Sequence, residues 1–211
     1  MLTAALLACI AAQGEWTAGE GQGPPVFVAG EATGMMVIRQ IHSQTRSANV
    51  AGVIPDDDHV DGTHAIGSQQ FLAEWRPVEI LGLGAFYSIS YGFGRDAPFV
   101  MFYGARAQLR LPLRDGMTLG LGAMAGRASD LQFDAAGWAY GPTALLELRL
   151  GSVRISGQPK AICLLVAADG ARTSFTIEDM NVTAAGESYL ATRTRTSWAA
   201  AVTAGLAMGL W

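Results

Sequence analysis

The chain has 211 residues, a mean hydropathy of +0.26 and only 15% charged residues, where an average soluble domain has about 25%. Its 14 basic residues are outnumbered by 18 acidic ones and form no dense basic run, which excludes electrostatic binding of a nucleic-acid backbone. The composition therefore disfavours both an ordinary cytosolic enzyme and a nucleic-acid-binding protein.

The N-terminal residues have the order of an export signal. Residues 1–13 form an apolar core followed by small residues, the order that a signal peptidase recognises. Residues 14–25 are rich in Gly, Glu and Pro and are interpreted as a flexible lead-in. No apolar run reaches the roughly 18 residues of a transmembrane helix. We expect residues 26–211 to form a single domain.

From Val26 onward, apolar residues recur at every second position, which is the period of a β-strand. The clearest run, 99–113, is about 15 residues long, whereas strands of soluble proteins most often have about 5–6. The predicted strands, in chain order, are 26–42, 81–93, 99–113, 117–126, 137–150, 153–168, 172–179 and 189–211. Turns are predicted at 94–98, 114–116, 151–152 and 169–170, and a long polar loop at 43–73.

Eight consecutive strands without helical crossovers predict an all-β fold, a closed antiparallel up-and-down β-barrel of about eight strands, because closure removes the sheet edges. Two kinds of barrel fit this pattern. In a soluble, lipocalin-like barrel the apolar face lines a cavity, whereas in a membrane barrel it contacts lipid. The opposite face is rich in glycine and arginine, which favours the membrane barrel. We therefore expect these side chains to point outward: Leu81, Leu83, Met101, Leu109, Leu111, Leu119, Leu121, Leu146 and Leu148.

Aromatic residues lie at the ends of the apolar runs, as Tyr91 and Trp138 do, and the chain ends on Trp211. With the export-like leader and the glycine-rich inner face, these features resemble small bacterial outer-membrane β-barrel proteins of the eight-stranded OmpA, OmpW and opacity-protein type. The resemblance implies a location in the bacterial outer membrane, contact with its lipid, and insertion by the barrel-assembly machinery. It also implies a structural, adhesive or narrow-channel role without enzymatic activity and without a cofactor.

A row of charged residues shares the face opposite the apolar row. These residues are Arg106, Arg110, Glu147, Arg149, Arg193 and Arg195. They can line a narrow pore selective for small anions, since rings of arginine favour anions. They can equally fill the lumen as an ion-paired plug, because eight strands leave room only for side chains. The sequence favours the plug.

One segment of the predicted loop concentrates metal-ligand types of residue: Asp56, Asp58, His59, Asp61 and His64. The spacing is not that of an EF-hand, because no glutamate stands at the twelfth position counted from Asp56. Charge runs of this kind are usually solvated. We therefore interpret the segment as an exposed acidic loop and assign no metal to it.

Two alternatives remain open at the level of sequence. The first is a periplasmic or secreted lipocalin-like barrel that binds an apolar ligand. The second is a barrel enzyme, either a cyclase or an acyl-chain hydrolase in which His42 and Ser43 would act with Glu74 or Glu79. No Gly-x-Ser-x-Gly turn supports such a hydrolase, and a triad is recognised by geometry. The direction of the side chains on the strand at 99–113 discriminates between a lipid-facing surface and a ligand cavity.

Overall fold

The computed structural model describes residues 16–17, 25–47, 62–92, 99–131, 135–155, 157–184 and 187–210. Within these ranges no helix is long and apolar enough to cross a membrane. A two-residue strand precedes eight long ones. The strands are β1 (Trp16–Thr17), β2 (Phe27–Ser47), β3 (Thr63–Val78), β4 (Leu81–Tyr91), β5 (Val100–Arg114), β6 (Met117–Asp130), β7 (Ala135–Ile155), β8 (Gln158–Ala184) and β9 (Glu187–Leu210).

The eight long strands form a closed ring. Each pairs antiparallel with the strand before and after it in the chain, and the first, β2, pairs with the last, β9. The predicted fold class, a closed antiparallel up-and-down barrel, is therefore confirmed. The short β1 pairs with β7 at Ser152 and Val153, so the expected flexible lead-in contains a short strand.

The strands are staggered as they go round the ring. Cross-strand partners followed from Val28 through β3 to β9 lead back to Ile38 on β2, ten residues further along the same strand. For eight strands, such a stagger corresponds to a tilt of about 40° from the barrel axis. The interior of a ring of this size is wide enough for side chains only.

The two ends of the barrel differ. At one end, here called the turn side, two-residue connections join β3 to β4 at 79–80, β5 to β6 at 115–116 and β7 to β8 at 156–157. At the opposite end, here called the loop side, β2, β8 and β9 continue past the other strands and remain paired as far as Ser47 with Ala191 and Ala184 with Glu187. A three-stranded extension therefore rises from the loop side.

The predicted long loop at 43–73 is wrong in two parts. Residues 43–47 belong to β2, and β3 begins at Thr63. The sequence analysis missed β3 because its inward residues are neither uniformly apolar nor uniformly polar. Along that face, Ser68 and Gln70 lie between Ile66 and Leu72. The middle of the predicted loop, 48–61, lies outside the described residues.

Two predicted turns are also wrong, and they compensate for the missed strand. Gly151 lies within β7, next to a register shift that follows Arg149, and Asp169 and Gly170 lie within β8. The actual turn between these strands is at 156–157, where Gly157 has a positive φ of 79°. Splitting β8 into two strands while overlooking β3 left the predicted total at eight.

The faces of the strands are as the sequence predicts. The nine apolar residues expected to point outward are all exposed or half-exposed on the outer surface, with Leu109 reaching 62% exposure. Their neighbours Phe102, Arg106 and Arg110 are buried inside the ring. The arrangement of a lipocalin-like barrel, in which the apolar row would line a cavity, is therefore not found.

Close approach of β5 and β6 requires glycine on the inner face. Gly104 and Gly126 are direct cross-strand partners. A Cβ atom on Gly126 would lie 2.1 Å from the carbonyl oxygen of Tyr103 and 2.7 Å from the Cα of Gly104. No side chain fits at that distance without moving the β5 backbone.

We expect Gly126→Ala to lower the free energy of unfolding by about 1–3 kcal/mol, the usual effect of overpacking a tightly packed site. The neighbouring Ala125 is exposed on the outer surface, so Ala125→Val should change stability by no more than about 0.5 kcal/mol. Urea unfolding of both variants in detergent micelles measures the difference. Equal stability of the two variants would show that the strands do not approach as closely as described.

Candidate functional site

Four charged side chains meet inside the barrel near the turn side. Glu74 and Arg76 come from β3, Arg110 from β5 and Glu147 from β7, so three alternate strands contribute. The Nε of Arg76 lies 2.9 Å from Oε1 of Glu74, and Nη1 of Arg110 lies 3.0 Å from the same oxygen. Both arginines also pair with Glu147, Arg110 through Nη2 at 3.4 Å. We call these four residues the charged quartet.

The charged quartet is sealed from solvent. Each of its side chains is at most 7% exposed, and the space between them has no room for a water molecule. Gly82 makes room for Glu74, because a Cβ on that glycine would lie 2.6 Å from the Cδ of the carboxylate. Arg76 also donates a hydrogen bond to the carbonyl oxygen of Pro25, and Cys163 donates one to Glu147. The charged quartet therefore closes the lumen at this level.

A second polar layer crosses the lumen above the charged quartet, toward the loop side. Asp169 is its centre and accepts hydrogen bonds from Gln70 at 2.8 Å and from Thr143 at 2.5 Å. Thr203 donates to Gln70, and Gln108 donates to Thr143. Five strands thus meet through one connected network, which gives hydrogen-bond partners to most of the polar groups in this layer, although Oε1 of Gln108 has none among the described residues.

The centre of the interior toward the loop side is lined mainly by apolar side chains. Phe86, Phe102, Met36 and Met124 lie here, above Asp169 and the rest of the polar layer. They surround a cavity of about 20 Å³, which is close to the volume that one water requires. A pocket for a drug-sized apolar ligand has about 300–1,000 Å³, so this cavity does not suit such a ligand.

The predicted charged row divides into three groups. Arg106, Arg110 and Glu147 are buried inside the barrel, whereas Arg149 and Arg195 are only half-buried. Arg195 pairs with Asp130 at 3.4 Å near the loop side. Arg193 lies on β9 with its backbone paired to Thr45, and its side chain is outside the described residues. Arg106 has no hydrogen-bond partner at Nε or Nη2 among the described residues.

The row predicted from the sequence lacked half of the charged quartet. Glu74 and Arg76 fall on β3, most of which was interpreted as loop, and Asp169 was placed in a turn. Among the described interior residues, three arginines and four carboxylates are less than about a tenth exposed, so the buried charges nearly balance. They are Arg76, Arg106, Arg110, Glu74, Asp130, Glu147 and Asp169.

The other candidate residues do not come together in the described structure. His64 lies on β3, and Asp56, Asp58, His59 and Asp61 are outside the described residues. No group of three metal-ligating side chains occurs among the described residues. The interpretation of this segment as an exposed acidic loop therefore stays untested.

The residues that the hydrolase alternative requires are widely separated. His42 and Ser43 lie on β2 beyond the loop-side rim of the ring, whereas Glu74 belongs to the charged quartet and Glu79 to a turn-side connection. Glu74 pairs with Val28, which is fourteen residues from His42 along β2. The Ser/His/Glu set that the hydrolase alternative would require is therefore not brought together.

One carboxylate lies on the outer face, and the sequence analysis did not identify it. Glu31 shares the outward face of β2 with Thr33 and Met35, yet it is only 4% exposed. Gln69 on β3 donates a hydrogen bond to its Oε1 at 2.5 Å. Because the carboxylate is covered and hydrogen-bonded, it interrupts the apolar outer surface little.

A scan against protein-family models finds no match, and a search of curated proteins finds none either. Among solved structures, the chain is similar to the outer membrane protein OprG from Pseudomonas aeruginosa, with 8% identity and a TM-score of 0.47 over 88% of this chain and 97% of that one. It is also similar to Neisserial surface protein A (15% identity, TM-score 0.39, 90% and 100% of the two chains). A third similar structure is the outer membrane protein AlkL in lipid bilayers (14%, 0.40, 92% and 95%).

We expect Arg76→Met to destabilise the barrel by about 3–5 kcal/mol, because it leaves the Glu147 carboxylate buried with less compensation. Adding Glu147→Gln should recover part of that loss, since the remaining Arg110 and Glu74 still pair with each other. Urea unfolding of the two single variants and the double variant in detergent gives the coupling energy. Strictly additive effects would show that the two side chains do not interact.

Proposed function

We propose that the chain is a bacterial outer-membrane β-barrel with a structural role, whose lumen is closed to solutes and whose loop-side strands are held at the cell surface. The observation that carries this proposal is the charged quartet, which occupies the lumen with four side chains and leaves no space for water between them. A channel role would require a wetted path through this level of the barrel. The structural role therefore fits the interior better than the narrow channel does.

The outer surface supports placement in a bilayer. Phe27 and its cross-strand partner Trp75 are exposed near the turn side, and Arg39 and its partner Trp198 are exposed near the loop side. Phe27 and Arg39 share one face of β2 and lie twelve residues apart. At about 3.3 Å per residue and a tilt of about 40°, they are separated by about 30 Å along the axis. An apolar band of about 25 Å between aromatic girdles is typical of membrane barrels.

The connections support an orientation in that bilayer. Membrane barrels have short turns on the periplasmic side and longer loops outside the cell. The two-residue connections at 79–80, 115–116 and 156–157 therefore favour a periplasmic turn side. The extension formed by β2, β8 and β9 would then stand outside the cell.

In planar lipid bilayers we expect the wild-type protein to show no conductance steps. Replacing the whole charged quartet by alanine (Glu74→Ala, Arg76→Ala, Arg110→Ala, Glu147→Ala) preserves net charge and removes the plug at this level. Adding Gln70→Ala, Gln108→Ala and Thr143→Ala opens the polar layer above it without changing net charge, so steps should appear in this extended quartet variant. The matched control, Glu79→Ala with Arg114→Ala, removes exposed charges of the turn side and should stay silent. Steps of equal size in wild type and extended quartet variant would refute a closed lumen.

The membrane position is tested on the outer face of β9. Ala204 is exposed six residues from both Trp198 and Leu210, in the middle of the apolar band. Ala204→Arg should lower the stability of the folded barrel in lipid vesicles by about 2–4 kcal/mol. Leu109 lies near the turn-side boundary, so the charge introduced by Leu109→Arg should lower this stability by only about 0–1 kcal/mol. Refolding titrations in urea measure both. A smaller cost at Ala204 than at Leu109 would contradict the proposed position.

A further inference from the structure

A row of alternating arginine and aromatic residues crosses the outer face of the barrel near the loop side. Arg39 on β2 pairs with Trp198 on β9, Trp198 with Arg172 on β8, and Arg172 with Tyr140 on β7. All four side chains are exposed on the outer surface. Because direct cross-strand partners have Cβ atoms about 4.5–5.5 Å apart, the four side chains form a continuous strip.

The strip continues onto β6. Trp138 lies two residues from Tyr140 on the same face of β7, and it is the cross-strand partner of Arg127. The guanidinium carbon of Arg127 lies 5.0 Å from the centre of the Trp138 ring, which is a cation–π contact. We call the whole strip the arginine belt. It comprises Arg39, Arg127, Arg172, Trp138, Tyr140 and Trp198.

The positive charge of the arginine belt is not neutralised by the described part of the chain. None of its three arginines forms an ion pair with a described carboxylate, and the loop-side carboxylates whose side chains are described, Asp130 and Asp169, are buried inside the ring. The outward carboxylate on β2 is Glu31, eight residues from Arg39 toward the turn side and covered. A ligand with negative charge is therefore the complementary partner.

The depth of the arginine belt indicates where that ligand lies. Trp198 and Arg39 mark the loop-side limit of the apolar band, and tryptophan and tyrosine prefer the level of lipid headgroups. Arg39 and Arg172 flank Trp198 from both sides, two strands apart, which is about 10 Å between their backbones. Two arginine side chains of this spacing can converge on one group above the indole. A phosphate is such a group, because the guanidinium presents paired donors to its oxygens.

We propose that the arginine belt binds phosphate groups of anionic lipid headgroups in the outer leaflet around the barrel. The lipid phosphate neutralises Arg39, Arg172 and Arg127, while the aromatic rings pack against the upper part of the lipid. This inference rests on the proposed membrane placement. It adds that lipid binds on one side of the barrel, over β6 to β9 and β2, and leaves β3 to β5 without a comparable site.

The test compares two variants, each of which lacks three cationic side chains. One variant lacks them on the loop side, and the other lacks them on the turn side. The belt variant carries Arg39→Gln, Arg127→Gln and Arg172→Gln. The control variant carries Arg114→Gln, Arg154→Gln and Lys160→Gln, all near the turn side. Native mass spectrometry of the folded protein, titrated with phosphatidic acid or phosphatidylcholine, gives the apparent affinity for each lipid. Phosphatidic acid supplies the phosphomonoester, and phosphatidylcholine has the same chains with no net charge.

The wild type should bind phosphatidic acid at least about tenfold more tightly than phosphatidylcholine. The belt variant should lose that preference, and the control variant should keep its affinity for phosphatidic acid within about twofold. Equal losses in the two variants, or an unchanged preference in the belt variant, would overturn the proposal. Inorganic phosphate that displaces the lipid at equal concentration would overturn the assignment to a lipid headgroup.

A folding assay separates this inference from the membrane proposal. Each variant is first refolded into phosphatidylcholine vesicles, and a shift in gel mobility on boiling reports the closed barrel. Failure of the wild type to insert would refute the membrane placement, whereas insertion without a preference for phosphatidic acid would refute only the lipid site. If the triple belt variant does not fold, the single variant Arg172→Gln still tests the site, with an expected loss of about fivefold.

Discussion

Closure of the strand ring is the constraint on which the rest of this structure depends. Eight strands with a ten-residue stagger leave an interior that only side chains can fill. A polar group that points inward depends on partners within the chain, because bulk water does not reach it. The charged quartet supplies such partners from β3, β5 and β7, and the layer around Asp169 supplies them from five strands.

The direction in which an arginine points determines its chemistry in this barrel. Arg76 and Arg110 point inward, where Glu74 and Glu147 compensate their charge and the low dielectric makes that compensation necessary. Arginines of the arginine belt point outward, where they form no ion pair with a described carboxylate. Inside the barrel, arginine therefore stabilises the fold by pairing with carboxylates of the same chain. On the outer face, the same residue type leaves a positive rim that suits an external anion. Because side chains along a strand point alternately inward and outward, the paired interior arginines and the arginines of the arginine belt lie on opposite faces.

The sequence predicted those parts of the barrel in which alternation and turn chemistry agree. Around 99–126 the outer face is consistently apolar and the turn contains Gly116 with a φ of 73°, so β5 and β6 were placed correctly. On β3, Glu74 and Arg76 occupy inner positions between apolar residues. The sequence of β3 therefore lacks the regular alternation of apolar and polar residues that indicates a strand. The same two residues are half of the charged quartet. The plug could therefore not be assembled from sequence, because identifying it requires knowing which strands face each other across the lumen.

Formation of the charged quartet depends on the barrel fold, and the quartet in turn stabilises the closed ring. Glu74 and Glu147 lie 73 positions apart in the chain, so local structure cannot bring them together. In an open sheet within a bilayer, the inner faces of β3 and β7 would expose these charges, and the sheet edges would leave backbone groups without partners, both at high cost. Closing β2 onto β9 and β7 onto β8 removes the edges and brings the charges into contact. Closure thus removes both the cost of exposed charges and the cost of unpaired backbone groups in one step. This favours cooperative formation of the barrel over partly inserted intermediates.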